Sequence, residues 1–300
     1  MIRNTLALAM ILGLAACSPT GEPTAPTAAS TPPSTAAAPT AAAPTVSALD
    51  AAVAGDWRDP ANVARDAWRH PVQTLQFFGL SPDQTVVEIT PGGGWYSEIL
   101  APLLRDQGHY VAAIVDPESA SSEDAKAYYR KNVDALNAKL SAAPEVYGAP
   151  ELRLFDLAKP VFGEPASADV VLTFRNVHNW QRSETAEVMF QGFFDVLKPG
   201  GTLGVVEHRA KGEVAKGDAS GYVGQDQVIA LATAAGFVLD ASSEINANPA
   251  DSKDHPAGVW SLPPALRLGD KDREKYTAIG ESDRMTLRFR KPGTEPQATP

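Results

Sequence analysis

The chain has 300 residues, a formal net charge of −10 and one cysteine. Its length allows one or two domains, and its acidic balance argues against nucleic acid as a partner. A single cysteine excludes a disulfide within the chain.

Residues 1–16 are predicted to be a secretory signal peptide. One early charge, Arg3, precedes an apolar run that ends at Ala16 and is too short to span a bilayer as a mature helix. The run leads into LAAC at residues 14–17, which resembles the lipobox of bacterial lipoproteins. The resemblance implies that Cys17 carries a lipid and becomes the first residue of the mature chain. The alternative is an ordinary signal peptide with an incidental cysteine.

Residues 17–48 are predicted to be the lipidated cysteine and a disordered tether. The segment from Ser18 to about Val46 is almost entirely Ala, Pro, Thr and Ser, which cannot bury enough apolar area to offset its ordering entropy. This layout predicts a periplasm-facing protein of the bacterial cell envelope, held to the membrane through lipid on Cys17. Ser18 gives no inner-membrane retention signal by resemblance to such lipoproteins, which favours the outer membrane.

Residues 49–80 are predicted to form a helical N-terminal extension. The apolar spacing from Asp59 to Phe78 predicts one or two helices, interrupted at Pro71. One face could line a substrate entrance, through Arg65, Asp66, Trp68, Arg69 and His70. The alternative is a solvated helix face with Trp68 buried.

Residues 81–292 alternate between strand and helix patterns. Strands are predicted at Thr85–Ile89, Tyr110–Val115, Leu152–Phe155, Ala168–Phe174, Thr202–Glu207, Phe237–Ser242 and Arg284–Arg290. Helices are predicted at Trp95–Asp106, Glu123–Leu140, Thr185–Leu197 and Gln225–Ala235. The alternation predicts an α/β domain with a doubly wound, Rossmann-like, mostly parallel seven-stranded sheet. Residues 293–300 are predicted to be a disordered tail.

Polar residues follow the predicted strands, at the edge where ligands of such sheets bind. Glu88 closes the first strand, and Gly92 and Gly94 allow a ligand to approach the backbone. The next helix points its N-terminal dipole at the same place. Asp116 is placed to bind a ribose diol, and Asp156 to accept from an adenine amino group.

Several of these stretches together resemble the class I S-adenosylmethionine-dependent methyltransferases. They are VVEITPGGG, IVDP, RLFDL, ADVVLTFRNVHNW, VLKPGGTLGVVEH and DRMTLRFRKP. The resemblance implies a class I methyltransferase sheet with an antiparallel last strand. The glycine spacing of a nicotinamide Rossmann site is less well matched, and no Gly-Lys-Ser/Thr ending of an ATP P-loop follows the first strand.

The resemblance implies S-adenosylmethionine as cofactor. The cofactor-binding residues that it implies are Glu88, Thr90, Gly92, Gly94, Asp116, Asp156 and Asn176. Glu88 would orient the loop or the methionine amino group. Thr90 stands where the family's acid-x-Gly-x-Gly-x-Gly loop has its first glycine, and its Cβ next to Pro91 stiffens the loop.

The catalytic candidates are His178, Glu207 and His208. The stretch RNVHNW resembles the LHDW stretch of small-molecule O-methyltransferases, whose histidine is the general base, and His178 takes that place. Glu207, His208 and Arg209 end the fifth strand and could bind a polar or anionic substrate group. The alternatives are a histidine that caps a turn and an ion-paired strand end. No metal is predicted, because these residues lack a tight ligand spacing.

The long loop before the last strand is typical of a lid or binding loop. It supplies substrate-side candidates, which are Lys253, His255 and Trp260.

Two functions remain open at this point. The first is a methyltransferase that acts on an unidentified small-molecule acceptor at oxygen or nitrogen. The second is an inactive envelope lipoprotein that binds a nucleoside or other small ligand on the same fold. The strand-end acids favour the first, whereas Thr90 and a compartment outside the site of cofactor synthesis favour the second. The sequence gives neither the acceptor nor the oligomeric state.

Overall fold

A seven-stranded sheet organises the chain. The structure is a computed structural model that describes residues 47–293, so the predicted signal peptide, the lipobox at Cys17, nearly all of the tether and tail residues 294–300 lie outside the described residues. The strands are β1 (Thr85–Ile89), β2 (His109–Val115), β3 (Glu151–Phe155), β4 (Ala168–Phe174), β5 (Leu197–His208), β6 (Val238–Ser243) and β7 (Arg284–Arg290).

The strand order in the sheet is β3-β2-β1-β4-β5-β7-β6. Strand β1 pairs in parallel with both β2 and β4, and β4 pairs in parallel with β5. Strand β7 runs antiparallel to β5 and to β6. The predicted α/β fold with an antiparallel last strand is therefore confirmed. The chain changes direction across the sheet between β1 and β4, which places a ligand crevice at their carboxyl ends.

Helices cover the sheet and also form the N-terminal extension. They are α1 (Ala48–Val53), α2 (Pro60–Val63), α3 (Asp66–Arg69), α4 (Pro71–Phe77), α5 (Ser97–Leu104), α6 (Glu123–Ser141), α7 (Pro144–Tyr147), α8 (Val177–Arg182), α9 (Ala186–Val196), α10 (Gln225–Ala234) and α11 (Arg273–Ile279). The expectation of one or two helices over Asp59–Phe78 is wrong, because this segment holds α2, α3 and α4. His70 adopts a left-handed conformation with φ 42° and separates α3 from α4.

Apolar side chains pack on both faces of the sheet. Along β1, Val87 and Ile89 belong to one core cluster and Val86 to the other. This alternation follows from the two-residue period of a strand. Each fully buried aliphatic or aromatic side chain stabilises the fold by roughly 1.5–3 kcal/mol, so the two clusters hold the carboxyl ends of the strands in fixed positions.

The N-terminal extension is tied to α5 by polar contacts. The indole of Trp57 donates to the Glu98 carbonyl at 2.9 Å, and that of Trp95 donates to the Asn62 carbonyl at 2.9 Å. The Asn62 amide also donates to the buried Glu98 carboxylate at 3.0 Å. These bonds hold α2 and the residues before it against Trp95 and α5, which follow β1 in the chain. Within residues 47–293, no helix combines the length and the hydropathy that a bilayer crossing needs.

Candidate functional site

A cleft of about 700 Å³ opens at the carboxyl ends of β1 and β4. Its volume lies within the range of small-molecule and cofactor sites. The glycine loop, the end of β4, the extension and the long C-terminal loop all contribute to its lining. The residues that line it include Arg65, Arg69, Glu88, Thr90, Trp95, Tyr96, Phe174, Arg175, Asn176, His178, His208 and Trp260.

The glycine loop leaves open space beside its backbone. Gly92 and Gly93 line the cleft, and a Cβ added at either would meet no atom within 4 Å. A Cβ at Gly94 would instead lie 2.9 Å from Leu136 Cδ1. Gly92 and Gly94 have φ angles of 60° and 78°, which glycine adopts without strain. The loop therefore fits a ligand that approaches its backbone closely.

Thr90 adopts a glycine-like conformation although it carries a Cβ. Its φ is 51°, and its N–H donates to the Ala113 carbonyl at 2.8 Å. Its hydroxyl oxygen is buried and has no hydrogen-bond partner among residues 47–293. The backbone thus has the left-handed form that glycine would take at the first position of the loop, at the expense of strain in a β-branched residue.

Glu88 lies under the loop, with 2% of its surface exposed. Its Oε2 accepts hydrogen bonds from the Tyr110 hydroxyl at 2.6 Å and from the Ser97 hydroxyl at 3.0 Å. Burial raises the pKa of Glu88 to about 7, although the two hydrogen bonds act in the opposite direction. A cationic group in the cleft would favour the ionised carboxylate.

Three of the proposed cofactor residues, Gly94, Asp116 and Asp156, do not line the cleft, and the two carboxylates have local roles. Asp116 Oδ1 accepts from the Glu118 N–H at 2.9 Å, and Asp156 Oδ1 accepts from the Ala158 N–H at 2.7 Å. Asn176 does line the cleft, and its amide donates to the Ile89 carbonyl at 2.9 Å. Asn176 thereby joins the end of β4 to the end of β1.

Helix α6 supplies cleft residues that the sequence interpretation missed. Tyr128, Tyr129, Asn132 and Leu136 line the side of the cleft near β2. Positions 128, 132 and 136 are spaced by four residues and so share one helix face. That spacing was a usable signal for a lining face.

The three catalytic candidates meet at the end of β5. His178 Nδ1 lies 3.1 Å from Glu207 Oε1, and the His178 N–H donates to Glu207 Oε2 at 3.3 Å. Glu207 is fully buried. Because a carboxylate can only accept at Nδ1, the Nδ1 atom carries the proton and Nε2 is left as the basic nitrogen. Glu207 therefore orients His178, which lines the cleft.

His208 lies beside this pair. Its Nδ1 is 2.5 Å from the Ser282 hydroxyl, and its ring centroid is 5.5 Å from that of His178. Burial lowers the pKa of His208 well below its usual range, and His178, Arg175, Arg284 and Arg69 lower it further. His208 is therefore neutral at pH 7.

The three candidates also have the separation of a metal site. Ligand atoms of His178, Glu207 and His208 lie within 4.8 Å of one another. The nearby arginines oppose a cation, because like charges repel strongly in a partly buried site.

Solved structures share this architecture, whereas no protein-family model and no curated protein matches the sequence. The [4+2]-cyclase SpnF aligns with 80% of this chain and 86% of its own, at 16% identity and a TM-score of 0.51. A SAM-dependent methyltransferase from Aquifex aeolicus aligns with 78% of this chain and 94% of its own, at 15% identity and a TM-score of 0.48. A SAM-dependent methyltransferase from Methanosarcina mazei aligns with 73% and 97%, at 14% identity and a TM-score of 0.45.

The chain has the class I methyltransferase fold. At these identities the likeness concerns the fold alone, and a function has to be argued from the residues of the site.

The remaining strand-end and loop candidates are divided between the cleft and the scaffold. Arg209 pairs with Asp283 at 3.0 Å and with Glu244 at 2.6 Å, which is the ion-paired strand end of the alternative interpretation. Lys253 also pairs with Asp283, at 2.6 Å. His255 is buried against Asp251 at 2.8 Å, so Trp260 is the loop candidate that lines the cleft.

The extension contributes two of its five candidates to the cleft. Arg65 and Arg69 line it. Asp66 pairs with Arg58 at 2.6 Å and does not. Trp68 is 39% exposed, so the expectation of a buried Trp68 is wrong. Its ring lies over Gly280, where a Cβ would approach within 2.1 Å, and this packing covers only part of the indole.

Proposed function

We propose that the protein is an S-adenosylmethionine-dependent methyltransferase that methylates an oxygen or nitrogen of a small-molecule acceptor. The observation that carries the proposal is one cleft lined by both the open loop at Gly92 and the Glu207-oriented His178. Glu88, Thr90, Gly92 and Asn176 would hold the cofactor there.

The residues of the cleft suit an in-line displacement. When bound, the cofactor supplies an electrophilic methyl group on a sulfonium. His178 Nε2 accepts the proton of the acceptor hydroxyl or amine as the lone pair of that oxygen or nitrogen attacks the methyl group. Glu207 stabilises the resulting imidazolium. The aromatic side chains of Tyr96 and Phe174, stacked at 3.6 Å, form part of the wall and exclude water from the reacting atoms.

The proposal predicts that the full-length protein is stabilised by S-adenosylmethionine and by S-adenosylhomocysteine. Ligand at 100 times its dissociation constant should add about 2.7 kcal/mol to the free energy of unfolding. A thermal-shift titration measures this. Absence of a shift with either ligand at millimolar concentration would contradict the proposal.

Gly92→Ala tests the place of binding. The added Cβ projects into the open space of the cleft, so at least a tenfold loss of affinity for S-adenosylhomocysteine is expected. Gly79→Ala is the matched control, because Gly79 also has a positive φ (75°), has open space around its Cβ and does not line the cleft. Both variants should lose similar stability, and the control should keep its ligand affinity.

A second candidate is a ligand-binding lipoprotein without methyl transfer. The local capping roles of Asp116 and Asp156 favour it, because neither carboxylate lines the cleft. Stabilisation by adenosine together with no stabilisation by S-adenosylmethionine would favour this candidate over the methyltransferase.

We further propose that the mature protein is anchored in the bacterial envelope by lipid on Cys17 and faces the periplasm. The LAAC stretch and the Ala/Pro/Thr-rich segment that follows support this location. Cofactor would then have to reach the protein outside the compartment where it is made.

A further inference from the structure

A cluster of arginines surrounds a single carboxylate at the edge of the cleft. Glu281 accepts from Arg65 Nε at 2.6 Å and Arg69 Nε at 3.3 Å, and it pairs with Arg284 Nη1 at 3.1 Å. Arg175 lies within electrostatic reach of the same group and, within residues 47–293, its side chain makes no hydrogen bond or ion pair. Three guanidinium groups therefore contact one carboxylate and a fourth lies within its electrostatic reach, which leaves a local excess of positive charge.

The cluster contains guanidinium nitrogens that have no partner among the residues that the structure describes. Arg69 is 2% exposed, and both of its Nη atoms are buried without a hydrogen bond in the described part of the chain. Arg65 Nη2 is in the same state. A buried charged donor that is left unpaired costs about 1–3 kcal/mol or more. An anion in the cleft would satisfy these donors.

Electrostatics supports the same conclusion. Burial lowers the pKa of Arg69 well below its usual range, and Arg175 lowers it further. Burial, followed by the charge of Arg284, lowers the pKa of Arg175 to about 10. Both shifts express unfavourable charging that a bound anion would reverse.

The cluster borders the proton-accepting residues. Arg65, Arg69 and Arg175 line the same cleft as His178. Arg69 and Arg175 are also among the charges that lower the pKa of His208. An anion held by these arginines would therefore lie next to the end of β5, where the acceptor must present its nucleophile to His178.

The walls near the cluster are flat and aromatic. The Arg69 guanidinium carbon lies 4.6 Å from the centroid of the Trp95 ring. The Trp260 ring lies 6.0 Å from the ring of His178. Stacking on Trp95 holds the Arg69 plane in place, and this leaves its fork of N–H donors ready for a planar or tetrahedral oxyanion.

We propose that Arg65, Arg69 and Arg175 bind a carboxylate or phosphate group of the methyl acceptor. This inference rests on the proposed methyl transfer. The same chemistry is present in the amino-acid carboxylate of the cofactor, which is the alternative source of the anion. Guanidinium groups suit both, because they bind carboxylate and phosphate oxygens through paired N–H donors.

Inorganic phosphate tests the anion site in the full-length protein without cofactor. Tryptophan fluorescence is followed during titration with sodium phosphate against sodium chloride of equal ionic strength. Phosphate is expected to bind beyond the chloride control. Arg175→Gln and Arg69→Gln should each lower the phosphate affinity at least tenfold. Equal phosphate affinity in the parent protein and in Arg175→Gln would overturn the proposal. The variant should fold, because the Arg175 side chain makes no hydrogen bond to another described residue.

Arg182→Gln is the matched control. Arg182 is an exposed arginine of the same cleft outside the cluster. Its replacement should change the phosphate affinity by less than twofold. A loss equal to that of Arg175→Gln would show nonspecific attraction by cleft charge and would overturn the assignment.

A second titration distinguishes the two sources of the anion. S-adenosylhomocysteine carries an amino-acid carboxylate, whereas 5′-methylthioadenosine does not. If the arginines bind the acceptor, Arg175→Gln and Arg69→Gln should change the affinity for both nucleosides by less than twofold. A tenfold loss for S-adenosylhomocysteine alone would assign the arginines to the cofactor and overturn the acceptor assignment. If the protein binds phosphate but binds neither S-adenosylmethionine nor S-adenosylhomocysteine, the proposed methyl transfer is rejected and the anion site is not.

Discussion

Thr90 is the single residue at which the sequence departs most clearly from the glycine pattern that it resembles. The structure shows that the backbone keeps a positive φ of 51° there despite the side chain. For a β-branched residue this conformation is a true outlier, with a cost on the order of 1–3 kcal/mol. The loop shape is therefore retained at the expense of local strain.

Thr90→Gly is expected to stabilise the protein by about 1 kcal/mol. Relief of strain and loss of the unpaired buried hydroxyl together outweigh about 1 kcal/mol of added chain entropy in the unfolded state. Urea unfolding at pH 7 gives the free energy of unfolding. Thr90→Ala separates the two contributions, because alanine removes the hydroxyl and keeps the strained φ. A glycine variant less stable than the alanine variant would refute the strain argument.

At the scale of elements, the junction between α3 and the residues before β7 closes one side of the cleft. Glu281 accepts from Arg65 and Arg69, and the Arg284 guanidinium donates to the Trp68 carbonyl at 2.8 Å. These contacts join segments separated by more than 200 residues in the chain. The extension and the end of the domain are thus held together by one buried carboxylate.

Glu281→Gln is expected to destabilise this junction by on the order of 3 kcal/mol at neutral pH. Burial raises the pKa of Glu281, but Arg284, Arg69 and Arg65 outweigh burial and bring it down from 4.5 to about 2. Because the folded-state pKa lies below the unfolded one, the carboxylate stabilises the fold fully above about pH 4.5. That stabilisation is lost as the pH falls toward 2.

Urea unfolding at pH 7 and pH 3 tests the expectation for Glu281. The difference between the parent protein and Glu281→Gln should be large at pH 7 and smaller at pH 3. Glu118→Gln is the control, since Glu118 forms an exposed pair with Arg130 and should leave the unfolding midpoint unchanged. A pH-independent difference for Glu281→Gln would contradict the role of its charge.

Helix α8 is an element that the sequence analysis did not predict, although it named one residue of this helix, His178, as a catalytic candidate. No helix was predicted for the stretch RNVHNW after the fourth strand, whereas the chain forms α8 from Val177 to Arg182. Arg175 has a φ of 63°, which turns the chain out of the strand direction. The helix then places His178 in its first turn and above Glu207, a relation that no local pattern encodes.

At the scale of the whole molecule, net charge and local charge have opposite signs. The formal net charge is −10, yet the cleft gathers Arg65, Arg69 and Arg175. Composition argues against nucleic acid as a partner, but it carries no information on a local anion site. The SpnF comparison adds that this fold also serves a cyclase, so activity depends on cleft residues and not on the sheet.

Cys17→Ser is expected to move the protein from the membrane fraction to the soluble fraction. A serine cannot form the thioether through which a lipobox cysteine carries its lipid, so the anchor would be lost. Fractionation of cells that express the parent and the variant, followed by immunoblotting, measures the distribution. Ser18→Ala is the control and should leave the membrane association unchanged. A soluble parent protein would contradict the anchor.

The sequence by itself determined the periodic features of this protein. Alternating apolar strands and amphipathic helices set the α/β sheet, and β1 and β7 lie at their predicted bounds. Glu88 and Gly94 lie close together in the chain, so the sequence alone located the loop at the end of β1. These features depend on neighbouring residues, and local patterns therefore reveal them.

Only the tertiary structure decided which polar residues share the cleft. Sequence reasoning considered Arg209 for an anion, but Asp283 and Glu244 neutralise it. Arg69, on a short helix of the extension beside Trp95, instead has two nitrogens without a partner in the described part of the chain. The physical reason is that pairing depends on distances in space. Arg69 in α3 donates to Glu281, a residue that most of the chain separates from it, and no local sequence pattern reveals such a contact.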